Sequence, residues 1–239
     1  MARQSKGFCK YCGREYTRGG MFRHINTCGE RKKVLEAESG QQSCGYFQLL
    51  LYGKYDGDYW LLIEIQDEET LQTLDVFIRN IWVECCGHLS RFDIGGEKYD
   101  SHADAGDWWG GSARSMNYKL KDVLSEGLVV GYEYDFGTTT ELVIKVLGHR
   151  TGARKKDAVT ILSRNMAHEF VCSRCGVNRA QWVWPDGFYD GDAFRCDECL
   201  EEGEEEYYLP VCNSPRMGMC GYEGSDFYPD VFEPDKKPV

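Results

Sequence analysis

Two groups of cysteines at metal-ligand spacing constrain this chain more than any other feature: Cys9-x2-Cys12-x11-His24-x3-Cys28 and Cys172-x2-Cys175-x20-Cys196-x2-Cys199. Each group supplies four soft or borderline ligands. Two of the four stand in a Cys-x2-Cys knuckle, whose tight turn aims both thiolates at one ion, and tetrahedral zinc suits that ligand set best. The sequence therefore predicts two structural zinc ions, with Cys9, Cys12, His24 and Cys28 on one and Cys172, Cys175, Cys196 and Cys199 on the other. The competing reading of the 12 cysteines is a disulfide framework, which requires an oxidising compartment and normally an export signal. The opening Met1-Ala2-Arg3-Gln4-Ser5-Lys6 is polar and basic, and no run approaches the ~18 apolar residues of a spanning helix. The expectation is a cytoplasmic chain with no membrane partner, in which reduced cysteines hold metal.

A length of 239 residues accommodates one ordinary domain with its own core, plus small metal-stapled parts that could not fold on apolar burial alone. The division expected is a finger with a basic arm at residues 1–33, a linker at 34–43, an α+β domain at 44–166, and a four-cysteine module with an acidic tail at 167–239. Charge divides the same way. Residues 1–33 carry nine Lys and Arg against two acidic residues, a net of +7, so the rest of the chain must carry −18 to reach the total of −11. A basic arm beside an acidic body grips a polyanion or is held by the protein's own acidic tail, and charge alone does not choose.

The first part resembles a Cys-Cys-His-Cys variant of the ββα zinc finger. Tyr16 stands four after Cys12, where that finger places an aromatic core residue, and Met21 lies three before His24 on the same helical face. With His24 as the seventh helical position, the base-reading positions fall on Thr17, Gly20 and Arg23. Gly20 has no side chain with which to read a base edge. Arg14, Arg18, Arg23, Arg31, Lys32 and Lys33 remain as candidates for phosphate contact, which needs charge more than geometry. The bland alternative is a protein-interaction knob with a solvated basic face.

Beyond the polar stretch Glu36 to Ser43, Tyr46 to Tyr52 and Tyr59 to Ile65 read as strands joined by a turn. Leu71, Leu74, Ile78, Ile81 and Trp82 recur at helical spacing behind Asp67, Glu68 and Glu69, which suit a helix N-terminus. Leu89 to Ile94 reads as a strand ending at Gly95-Gly96, and Lys119 to Ser125 as a short helix. Val130 to Phe136, Leu142 to Val146 and Val159 to Leu162 alternate as strands. Paired strands with few helices argue an α+β fold, an antiparallel-rich sheet covered on one side, between a ββα-like finger and the four-cysteine module.

The order of a helix, then His88-Leu89-Ser90-Arg91-Phe92, then Tyr132-Glu133-Tyr134-Asp135-Phe136-Gly137, then a Cys-x2-Cys segment and finally Leu209 to Tyr222 is similar to the plasmid pRi ORF-three-like family. Its members include insertion-element passenger proteins described as TnpR-like. The resemblance covers about residues 44 to 230 and implies a fold and a mobile-element setting, with no established reaction. After Gly137 many relatives place an Asp and an aromatic residue, whereas this chain has Thr138, Thr139 and Thr140.

Further candidates are weaker. His88, Asp93, His102, Asp104, Asp107 and Asp135 are groups a hydrolytic metal site would use, though no pair has ligand spacing. Cys85-Cys86 reads as buried thiols at a helix end, with His88 a hint of another metal site. His149, Arg150, Arg154, Lys155 and Lys156 read as a basic hairpin loop able to follow a phosphate backbone. Trp108, Trp109, Trp182 and Trp184 offer stacking surfaces or core packing. His168, Cys212 and Cys220 are the competitors for the second site, Cys212 first among them, and Cys212 and Cys220 otherwise read as packed thiols or spare ligands. The function expected is a zinc-binding, non-enzymatic protein of a mobile element that binds nucleic acid weakly, with little sequence preference, or acts as an adaptor for a protein partner. The alternatives are a nucleic-acid or nucleotide hydrolase using His88, Asp93 and Asp135, and a protein-interaction scaffold.

Overall fold

The computed structural model describes residues 4–38, 40–102, 113–188 and 191–236. The chain forms two compact units. One comprises Met1–Ile78, Leu89–Met166 and Phe232–Val239, and the other Arg79–His88 and Ala167–Val231. The fold is α+β, with few helices and a mostly antiparallel sheet.

The first unit opens with a hairpin of β1 (Lys6–Phe8) and β2 (Glu15–Thr17), followed by α1 (Arg18–Thr27) and α2 (Gly29–Ala37). Thr17 caps α1 by accepting from the Gly20 amide at 3.4 Å, which spares one of the amides that a helix start leaves unpaired. Met21 and Ile25, four apart and fully buried, share one helical face. They pack with Cys9, Tyr11 and Cys28 against Trp60, Leu62 and Leu162. The finger is therefore seated on the sheet. Gly7 is what allows it: a β-carbon there would fall 2.2 Å from the Arg164 carbonyl oxygen, where β1 bridges to Asn165. Residues 34–37 of the expected linker complete α2.

The main sheet takes β3 (Ser43–Gly53), β4 (Trp60–Gln66), β5 (Ser90–Ile94), β6 (Glu97–Asp100), β7 (Arg114–Ser115), β8 (Val129–Tyr134), β9 (Thr140–Ala153) and β10 (Val159–Arg164). Their order is β10-β4-β3-β9-β8-β5-β6-β7, antiparallel except between β6 and β7. The strands expected from alternation are all present. Gly95 and Gly96, both with positive φ, make the tight turn of a β5–β6 hairpin. The strand β6 was not expected, because only Tyr99 of Glu97-Lys98-Tyr99-Asp100 is buried and its pattern is mostly polar.

The sheet is covered on both faces at β4, a correction to the one-sided cover expected. Trp60 and Leu62 face the finger, while Leu61, Ile63 and Ile65, one step out of phase, are equally buried on the other side. Within this unit α3 (Leu71–Ile78) buries Leu71, Leu74, Phe77 and Ile78, and its buried Asp75 accepts from the Tyr132 hydroxyl at 2.8 Å. The helix expected to run through Trp82 gives way at Arg79–Val83 to a wider π-helical turn. A last short helix, α4, spans Leu120–Val123.

The second unit holds β11 (Trp182–Val183), β12 (Phe194–Arg195) and β13 (Leu209–Pro210), in the order β12-β11-β13. Strands of two residues cannot sustain a sheet by their own ladder. This unit needs another source of order.

Candidate metal centres

The two groups of ligands separated in sequence each converge in space. In the finger, Cys9, Cys12, His24 and Cys28 bring their ligand atoms within 4.8 Å of one another. The Cys9-x2-Cys12 turn is closed by the Gly13 amide donating to the Cys9 carbonyl at 2.9 Å, with Gly13 at φ 70°. The helix α1 then delivers His24, whose ring stacks on Tyr16 with centroids 4.1 Å apart. Two edges of the ligand tetrahedron are the Cys9–Cys28 sulfur pair at 4.0 Å and the Cys12 sulfur to His24 Nε2 at 3.2 Å. Zinc–sulfur bonds of about 2.3 Å and zinc–nitrogen bonds of about 2.0–2.1 Å give edges of about 3.8 and 3.6 Å, so the set fits such an ion. Burial pushes the bare Cys9 thiol up to about 12, and a cation among the sulfurs is what would ionise it.

The second group repeats the device. Cys172, Cys175, Cys196 and Cys199 lie within the same 4.8 Å. The Gly176 amide closes the first knuckle on the Cys172 carbonyl at 2.9 Å, with Gly176 at φ 67°. The amides of Cys199 and Leu200 close the second on the Cys196 carbonyl at 3.0 and 3.1 Å. Asn178 adds a supporting layer: its backbone amide donates to the Cys175 sulfur at 3.5 Å and its side-chain amide to the Cys196 sulfur at 3.7 Å. Burial raises the Cys172 thiol, but backbone amides of Cys175, Cys196 and Arg174 outweigh it and bring the group down to about 6. The finger's knuckle and the first knuckle of this group both read Cys-x2-Cys-Gly, since the residue after the second cysteine takes a left-handed conformation that glycine adopts freely.

Of the competitors expected for this site, His168 and Cys212 are absent from every metal-sized group among the described residues, and Cys220 stands in a different one. A third group does form, from Cys85, Cys86, His88 and Cys220. Cys86 is exposed and Cys85 half-buried, so the expectation of small buried hydrophobes is corrected for this pair. Ten of the 12 cysteines stand in one of the three groups, and the remaining two, Cys44 and Cys212, are buried.

The hydrolase candidates are engaged locally. Asp93 accepts from the Gly96 amide at 2.9 Å and pairs with Lys98 at 2.5 Å. Asp135, at φ 65°, accepts from the amides of Gly137 and Thr138 at 3.0 and 3.2 Å. His88 Nε2 sits 2.9 Å from the Cys86 sulfur, and the exposed His102 faces Ser101. A groove of about 410 Å³ lined by Arg91, Glu133, Phe136, Thr139 and Glu141 takes in none of these candidates. Asp104, Asp107, Trp108 and Trp109 lie outside the described residues. Trp182 donates to Asp197 at 2.7 Å and Trp184 leans on Tyr208 with centroids 6.4 Å apart.

The basic residues divide sharply. Arg31 is 5% exposed and pairs with Glu64, itself 1% exposed. Arg150, a residue of β9 rather than of a loop, reaches the same carboxylate at 2.7 Å and stacks over Tyr46. The register explains it: β9 continues beside β3 as far as Ser43↔Ala153, so His149 to Ala153 are sheet residues and only 154–158 form the turn. Arg18 donates to the Gly57 carbonyl at 2.7 Å and lies over Tyr52. Arg154 donates to Gln66 at 3.2 Å, and Lys33 shares Glu30 with Lys236. Arg14, Arg23, Lys32, Arg154 and Lys156 present exposed side chains, and Lys155 is half-buried.

Residues 54–169 match the model of the plasmid pRiA4b ORF-3-like protein family, a narrower span than residues 44 to 230 over which the sequence resembles it. No curated protein matches the chain. Among solved structures, a protein of unknown function, MM3350 from Methanosarcina mazei Go1, is similar at 20% identity with a TM-score of 0.40, over 50% of this chain and 67% of that one. Among the described residues, no helix is long and apolar enough to cross a membrane.

Proposed function

We propose that this chain, whose residues 54–169 match the plasmid pRiA4b ORF-3-like family, is a zinc-binding protein of a mobile-element setting that holds nucleic acid weakly by its backbone, with little selection of bases. The two zinc ions are structural, since Cys9, Cys12, His24 and Cys28 fill one coordination sphere and Cys172, Cys175, Cys196 and Cys199 the other, leaving no open position for substrate. The finger, the central α+β domain and the four-cysteine module serve as its working parts. The observation that carries the nucleic-acid reading is the pattern of exposure on the finger. Arg14, Arg23 and Lys32 are exposed, whereas of the base-reading positions Thr17 caps α1 and Gly20 has no side chain, which leaves Arg23 alone to reach a base edge. Phosphates need only charge, and bases need aimed donors and acceptors. Arg154, Lys155 and Lys156 add a second basic element, while Arg31 and Arg150 are committed to Glu64.

The test is the salt dependence of binding to duplex and single-stranded oligonucleotides of unrelated sequence. The slope of log affinity against log salt should fall by about 0.9 for each duplex phosphate contact removed in Arg14→Ala, Arg23→Ala and Lys32→Ala. Absence of binding by the intact, metal-loaded protein at low salt would sink the reading. An interaction scaffold is the second reading, supported by one observation. Asp235 pairs with Lys10 at 2.7 Å, its amide donates to the Lys10 carbonyl at 2.7 Å, and Lys236 pairs with Glu30. The C-terminal segment thus lies on the finger through one acid and one base. The local engagement of Asp93 and Asp135 leaves the hydrolase alternative the least supported.

A further inference from the structure

The second unit joins two chain pieces that are far apart in sequence, Arg79–His88 and Ala167–Val231. Between them the Ser214 hydroxyl donates to the Trp82 carbonyl at 2.5 Å, and the Ser225 hydroxyl donates to the Asn80 carbonyl. At the end of the first piece the chain turns through Gly87, at φ 74°. There it gathers Cys85, Cys86 and His88 beside Cys220 of the second piece.

We propose that Cys85, Cys86, His88 and Cys220 form a third zinc site, which staples the Arg79–His88 segment to the C-terminal part of its own unit. Three observations support it. The first is size: sulfur pairs stand at 3.5 Å for Cys85–Cys86 and 3.9 Å for Cys86–Cys220. His88 Nε2 lies 2.9 Å from the Cys86 sulfur and 3.2 Å from that of Cys220. These edges are of the size of those in the finger site, 4.0 Å between sulfurs and 3.2 Å from sulfur to imidazole, with the Cys86–His88 edge shorter than the about 3.6 Å of a regular zinc tetrahedron.

The second is charge. Three thiolates and a neutral imidazole around a divalent ion leave one net negative charge. The guanidinium of Arg216, fully buried, donates to the Cys85 sulfur at 3.4 Å, which places positive charge beside that anionic group. The third is the backbone at Cys220, which takes φ 49° ahead of Gly221 at φ 69°. A cysteine is disfavoured in that left-handed region, and it is this conformation that carries the Cys220 sulfur into the group.

The site is also the most open of the three. Cys86 and Cys220 are exposed, whereas Cys9 and Cys28 are buried in the finger and Cys172 and Cys196 in the four-cysteine group. Its ion is therefore the one a chelator reaches first.

The full chain, purified under a non-thiol reductant, should contain three zinc ions by native mass spectrometry and elemental analysis. Cys220→Ser should lower the count to two, and Cys44→Ser, outside every group, should leave it at three. A wild-type count of two that Cys220→Ser does not change would overturn the third site and leave the other two standing. A wild-type count below two would instead count against the proposed structural ions. Should Cys220→Ser fail to fold, alkylation of the wild type decides the matter. Cys86 and Cys220 should resist iodoacetamide until a chelator is added, and then be the first thiols labelled. Immediate labelling of these exposed thiols would overturn the proposal, as would protection that only further reduction relieves, the mark of a disulfide.

Discussion

Glu64 is the residue on which the finger and the sheet agree. Its carboxylate sits in β4 at 1% exposure and is held by Arg31 of α2, Arg150 of β9 and Gln48 of β3, the last donating at 3.0 Å. Burial would raise its pKa, but hydrogen bonds and charge from Arg150, then the charge of Arg31, prevail and bring it to about 2. Glu64→Gln leaves two guanidinium groups with no counter-charge, and the expected cost is about 3–5 kcal/mol in denaturant unfolding. A carboxylate with a depressed folded pKa stabilises the fold above its unfolded value of 4.5 and loses that contribution as pH falls toward about 2. The stability difference between wild type and Glu64→Gln should therefore be full at neutral pH and shrink across that window. A difference that does not change with pH would contradict the assignment. Asp135 makes a second test at this scale. Asn keeps an acceptor oxygen and tolerates positive φ, so Asp135→Asn should be nearly neutral, while Asp135→Ala should cost roughly 1–3 kcal/mol by leaving turn amides unpaired.

At the scale of elements, the two Cys-x2-Cys-Gly knuckles do different work because of what each is attached to. The finger's knuckle holds α1 so that Met21 and Ile25 cover Trp60 and Leu62, and burying each such side chain is worth about 1.5–3 kcal/mol. Cys12→Ser should then do more than loosen the N-terminus. It should expose Trp60, red-shift its fluorescence and lower the unfolding midpoint of the first unit. The module's knuckles instead hold strands only two residues long, and structural zinc in small modules supplies on the order of 10–16 kcal/mol of apparent folding energy. Cys175→Ser should open residues 167–231 to protease while the main sheet stays resistant. The same digestion pattern for both variants would contradict this division.

For the whole molecule, a net charge of −11 repels polyanions, so the exposed cations of the finger act against the field of the rest of the chain. Residues 232–239 carry two acids and two bases, so their removal, which takes Asp235 off Lys10 and Lys236 off Glu30, should strengthen nucleic-acid binding at low salt only if the segment covers the binding surface. Unchanged affinity would leave the segment a purely structural strap. The two metal groups that bear a knuckle were legible in the sequence because each is built largely from chain neighbours, and local spacing is what a knuckle requires. Strands with alternating burial were legible for the same reason, as period-two patterning is a local property. The third group was legible only as a hint at His88 beside Cys85-Cys86, without its fourth ligand. Cys220 meets Cys86 across 134 positions, and only the packing of Ser214 and Ser225 on the Arg79–Val83 turn brings them together. Nor could sequence tell Arg31 and Arg150 from the exposed bases around them, since both read as members of basic runs until the sheet register set Glu64 between them. Ligand type, spacing and periodicity determined the candidate sites and the fold class. Which charges face solvent, where the finger rests and which distant cysteines meet were decided by long-range packing, because burial belongs to the folded assembly of residues and not to any one stretch of them.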